Sequence, residues 1–86
     1  MIAHIQLGHT RSERRKNLAR LIRDGRITLG GYRKSRIFGL LSCPSGKRMK
    51  TENRVFFADE SEAIAAGYRP CGRCMPDAYR KWKSHQ

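Results

Sequence analysis

Acidic residues are scarce in this chain of 86 residues: 7 Asp and Glu stand against 19 Lys and Arg, a formal charge of +12. Such an imbalance favours polyanionic partners, nucleic acid or an anionic membrane surface, over any partner that is itself basic. Long apolar runs are also missing. No stretch is long enough to cross a bilayer, and the N-terminus carries no hydrophobic signal region, so a cytoplasmic protein is expected. Cysteine is limited to Cys43, Cys71 and Cys74. An odd number of thiols cannot all pair within one chain, and a reducing compartment favours metal ligation over disulfides. Internal repeats and low-complexity linkers are absent, and a chain of this length has room for one domain with a small core.

The remaining residues are organised in short elements. Thr10-Arg11-Ser12-Glu13 fits a capping box, which opens a helix running to about Asp24 with Gly25 as a left-handed cap. Leu18, Leu21 and Ile22 share the face of that helix expected to dock on the core, and Lys16, Arg20 and Arg23 lie opposite. Arg26–Leu29 alternates as a half-buried strand does, Gly30-Gly31 predicts a turn or bulge, and Arg36–Leu41 predicts a second strand ending before Cys43. Arg54–Phe57 predicts a buried strand, and Asp59-Glu60-Ser61-Glu62 is a second capping box, with Gly67 closing its helix. Pro76 suits the first turn of a last helix, whose Tyr79 and Trp82 share one face and are expected in the core. The order describes a small α+β domain with a short antiparallel sheet and about three helices.

Cys71-Gly72-Arg73-Cys74 is the strongest chemical signal. Two thiols two residues apart converge on one Zn²⁺, because a tight turn between them brings both sulfurs to the same side. With Cys43 the chain offers three of the four soft ligands of a closed zinc site.

The segment Asn53–Cys74, with its capped Ala-rich helix followed by Gly67-Tyr68-Arg69-Pro70-Cys71-Gly72-Arg73-Cys74, resembles the zinc-binding N-terminal domain of Ada-type DNA-repair proteins. It is also similar to a small module appended to some bacterial nucleases. The resemblance covers roughly residues 36–76 of a single domain 1–86. The N-terminal helix and first strand (1–35) precede it, and a C-terminal helix and tail (77–86) follow. It implies zinc held by four cysteines, an upstream CxxxC pair and the CxxC pair, with the first upstream cysteine accepting a methyl group from a methylphosphotriester in DNA. Cys43 matches the second member of the upstream pair. Gly39 stands where the first would be, a place at which the nuclease modules carry histidine. Without a nucleophile there, a non-catalytic module is expected.

The fourth ligand then has to come from elsewhere. His4, in the alternating segment Met1–Leu7, is the favoured imidazole; His9, His85, Asp77, an outside ligand and no metal at all are the alternatives. The basic hairpin with Arg33, Lys34 and Arg36 and the loop with Lys47, Arg48 and Lys50 are expected to contact phosphates. That reading makes a monomeric, zinc-stapled, weakly sequence-selective DNA-binding module, with no membrane partner and no evident small-molecule substrate. A methyl-phosphotriester acceptor and a protein-interaction or metal-handling module are the competing readings.

Overall fold

Helix starts follow the capping chemistry of the sequence, with one consistent shift. In the computed structural model, which describes residues 1–43 and 49–85, helix α1 spans Arg11–Arg23. Thr10 Oγ accepts the Glu13 N–H at 3.1 Å. The Glu13 carboxylate accepts from the N–H of His9 (3.0 Å), one residue before the cap, instead of from Thr10. Helix α2, Glu60–Ala65, repeats the arrangement: Asp59 accepts from Glu62 N–H at 2.8 Å and Glu62 accepts from Ala58 N–H at 2.8 Å. Gly25 (φ 73) and Gly67 (φ 87) follow the two helices in the left-handed region, where a Cβ is costly. Helix α3, Pro76–Ser84, begins on its proline.

Strands β1 (Ile2–Ala3), β2 (Leu29–Tyr32), β3 (Ile37–Leu40), β4 (Arg54–Phe57) and β5 (Arg69–Pro70) form one sheet in the order β1-β4-β2-β3-β5. All pairs are antiparallel except β3 with β5, which are parallel. The parallel pair, not anticipated from the sequence, follows from the connection: after β4 the chain passes through α2 and returns at the far edge, beside β3.

Two expectations need correcting here. Gly30 and Gly31 do not make a turn; they lie inside β2, and the turn comes at residues 33–36, where Arg36 has φ 56. A Cβ on Gly31 would meet the Phe57 ring at 3.0 Å and Val55 Cγ2 at 3.1 Å, so a residue without a side chain is what lets those two pack against the strand. Nor does α1 dock an apolar face. It buries no residue, Leu18 and Leu21 are half-buried, and Ile22 is 41% exposed. Polar ties hold it instead: the Asn17 amide donates to the Leu7 carbonyl and Arg14 donates to the Gly8 carbonyl.

The core lies on one sheet face, where Leu29, Phe38, Val55 and Phe57 pack with Ala63 of α2 and Tyr68. Phe57 is its centre, edge-on to Tyr68 (4.9 Å between ring centroids) and to Phe38 (6.4 Å). Tyr79 and Trp82 are not members of this cluster. They stack on each other at 6.0 Å, half-buried, with the Arg69 guanidinium 5.3 Å from the Tyr79 ring centroid. Among the described residues no helix is long and apolar enough to cross a membrane.

Candidate metal centre

Two strand ends and one tight turn bring the cysteines together. The parallel pairing of Phe38 with Pro70 places the next N–H, that of Cys71, 2.7 Å from the Phe38 carbonyl. The chain then turns, closed by Met75 N–H to the Cys71 carbonyl at 3.0 Å, which carries Cys74 back over β3. A second turn after β3, closed by Cys43 N–H to the Leu40 carbonyl at 3.0 Å, brings in Cys43. The three sulfurs lie within 4.8 Å of one another, a spacing able to hold a metal ion. Gly72 lies against Tyr79 of α3, where a Cβ would sit 3.4 Å from the ring, so that helix backs the turn.

The surroundings of Cys74 favour its neutral thiol. Cys74 is pushed up to about 11, first by burial and then by its sulfur neighbours Cys43 and Cys71, while the Leu40 N–H, 3.3 Å from its Sγ, pulls the other way. At neutral pH in the metal-free chain that thiol keeps its proton, and a metal has to displace it. Zinc affinity is therefore expected to climb by at least about tenfold per pH unit from neutral pH towards the Cys74 pKa, one proton leaving that sulfur for each metal bound. Competition against a chromophoric chelator at a series of pH values checks the slope; a flat profile contradicts it.

The position nearest the sulfurs on β3 is Gly39. A Cβ there would sit 2.6 Å from Cys74 Sγ and 3.2 Å from Cys71 Cβ, so the missing side chain points straight into the cluster. Any residue other than glycine would have to displace Cys74.

His4 is not the fourth ligand in this arrangement. It lies in a 3-10 turn, His4–Leu7, next to β1, and its ring meets Phe56 edge-on at 5.3 Å. Phe56 is on β4, and β2 and β3 separate it from β5 and the cysteines. At about 4.8 Å per strand spacing, two or more strands cannot be bridged by one imidazole. His4 Nδ1 is buried with no hydrogen-bond partner among the described residues, and burial, then Arg54 and Arg14, hold its pKa below the usual histidine range. His9, just before α1, and His85, just after α3, are exposed, and Asp77 pairs with Arg80 on α3. None joins the cluster.

Opposite the core, the sheet face carries a groove of about 510 Å³ whose floor is Gly30 and Gly39 and which reaches Cys43 and Cys71. Lys34 and Lys50 line it, as does Arg54, whose guanidinium lies 5.0 Å from the Phe56 centroid. Of the cations expected to act together, Arg33 and Arg36 are exposed but do not line the groove, and Lys47 and Arg48 fall outside the described residues. Arg54, Tyr32 and Glu52 were not singled out from sequence. Period-2 alternation would have placed Arg54 on the face opposite Val55 and Phe57, though not in a groove that reaches Cys43 and Cys71.

The model of a family described as the metal binding domain of Ada matches residues 19–77. The chain is 44% identical over 57 residues to the regulatory protein ada of Salmonella typhimurium, and 47% identical over 54 residues to the bifunctional transcriptional activator/DNA repair enzyme Ada of Escherichia coli. Those stretches cover 66% and 63% of this chain but only 16% and 15% of the two relatives. The solved DNA methyl phosphotriester repair domain of E. coli Ada superposes with a TM-score of 0.53 at 36% identity, over 83% of this chain and 77% of that one.

Proposed function

This chain belongs to the family of the metal-binding domain of Ada, a zinc-binding family, and on that premise we propose that it is a zinc-stapled module that binds DNA without transferring a methyl group. One observation carries the reading: a groove lined by Lys34, Lys50 and Arg54 reaches Cys43 and Cys71 past a glycine, Gly39, in place of a nucleophile. Three cations around a groove fit a phosphodiester backbone, and a flat glycine floor admits its close approach. The net charge of +12 draws in a polyanion from a distance. The relatives' names, which speak of DNA repair and transcription, support DNA as the partner.

No helix projects a row of base-reading side chains from the groove, so contact is mainly with phosphates and discrimination between sequences is weak. Duplex binding is expected to weaken linearly in log affinity against log salt. Lys50→Ala is expected to reduce the slope by about 1, with affinity falling alike on unrelated sequences. Fluorescence anisotropy across a salt series measures both. Salt-independent binding, or none at low salt, would remove DNA as the partner. The non-catalytic part is read separately by intact-protein mass after incubation with DNA carrying methyl phosphotriesters. No gain is expected, and a gain of one methyl group on Cys43, Cys71 or Cys74 overturns it.

A further inference from the structure

We propose that the metal centre keeps one coordination position for a donor from outside the chain, and that this donor is a small anionic thiol entering along the groove. The inference rests on the metal-site reading above and deepens it.

The count of ligands comes first. Among the described residues only Cys43, Cys71 and Cys74 cluster closely enough to share a metal. Residues 44–48 and 86 are Pro, Ser, Gly, Lys, Arg and Gln, so no cysteine, histidine, aspartate or glutamate side chain stands outside the described residues. Gly39, where a Cβ would sit 2.6 Å from Cys74 Sγ, has no side chain to offer. Zinc takes four ligands, and three protein ligands with the fourth position left to solvent or a bound molecule is the pattern of zinc sites that handle a ligand, as against closed structural sites.

Access comes second. Here the groove of about 510 Å³ runs along Gly30 and Gly39 to Cys43 and Cys71, a volume within the range of small-molecule sites.

The chemistry of the walls selects the donor. Three thiolates make a soft site, which favours another sulfur over oxygen. Tyr32, Ile37, Leu40 and Met49 give the groove apolar walls. Lys34, Lys50 and Arg54 add three positive charges against the single carboxylate of Glu52, leaving the lining net positive. A thiol that also carries a carboxylate suits both features of this lining: its sulfur matches the soft metal site and its negative charge matches the positive groove. On binding, the thiol releases its proton to solvent and its sulfur bonds the metal. No electron is transferred.

Cobalt(II) substitution under anaerobic conditions tests this, because sulfur-to-cobalt charge-transfer absorbance scales with the number of bound sulfurs. Mercaptoacetate is expected to raise that absorbance by about a third, three sulfurs becoming four, with saturation at one equivalent bound. Acetate, which lacks the thiol, should leave it unchanged. Gly30→Val should load cobalt like the wild type but respond at least about tenfold more weakly to mercaptoacetate. The nearest neighbour of a Cβ at Gly30 is 3.7 Å away, so the added side chain fits the strand and narrows the groove. A cobalt spectrum unmoved by mercaptoacetate overturns the proposal. So does a wild-type spectrum that changes in Glu52→Gln, which would assign the fourth position to that carboxylate. Failure of the wild type to load cobalt overturns the metal-site reading itself, and this inference with it.

Discussion

Replacing Cys74 with alanine is expected to lower the thermal midpoint of the zinc-loaded domain by about 20–40 °C, taking a loss on the order of 5 kcal/mol and 4–8 °C per kcal/mol for a domain of this size. The estimate is below the roughly 10–16 kcal/mol attributed to structural zinc in four-ligand peptides, because this chain supplies three ligands. Cys74 is the ligand that couples the parts of the fold. It receives the Leu40 N–H from the end of β3, sits over Gly39, and lies within the turn, closed by Met75 N–H to the Cys71 carbonyl, that leads into α3. Without its sulfur the β5–turn–α3 segment keeps only the short parallel pairing Ile37–Arg69 and Phe38–Pro70 and the side-chain contacts around it. Circular dichroism melts with and without a chelator measure the effect. Chelation should bring the wild type down to the variant's midpoint and leave the variant unmoved. A variant that melts within a few degrees of the zinc-loaded wild type would show that the metal is not a staple.

Phe57→Ala is the other large effect, expected to cost about 3–5 kcal/mol whether or not metal is bound. Phe57 is 1% exposed and touches both other core rings, Phe38 and Tyr68. Its ring also fills the space above Gly31, where even a Cβ would lie 3.0 Å away. A backbone held in a sheet cannot collapse into the void left by the ring, which puts the cost towards the upper end of the range. Urea denaturation of zinc-loaded and chelated protein separates this term from the metal term. The decrement should be similar in both states, since Phe57 lies on the core face and the cysteines gather beside the groove on the other. A loss below about 1 kcal/mol would mean the core is not organised around this ring.

The two effects act on opposite faces of one sheet, and the sequence made them unequally legible. Val55 and Phe57 were readable as buried because three consecutive residues, Val55, Phe56 and Phe57, are strand formers bounded by polar segments. The helix starts were readable because Thr10 and Asp59 are strong caps, although the glutamates that complete the boxes reach one residue further back than the simplest pattern. The glycine pair was misread. Gly30-Gly31 has turn chemistry taken alone, and only the rings across the sheet explain why it lies in a strand. Tyr79 and Trp82 have the spacing of a buried helix face, yet they stack beside the metal turn, outside the core.

Local chemistry settles which atoms can hold a metal in this chain. Cysteine spacing, the scarcity of other soft donors and the family pattern around residues 53–74 identify Cys43, Cys71 and Cys74, because a CxxC turn is a short-range constraint that needs no fold to be read. Which residue stands next to those sulfurs is a long-range matter. Strand order puts Gly39 beside them and His4 two strands away, and it sets Arg54 on the sheet face whose groove reaches Cys43 and Cys71. That order follows from the passage through α2 that carries β5 past β2 and β3 to the edge beside β3, and no periodicity along the chain records it.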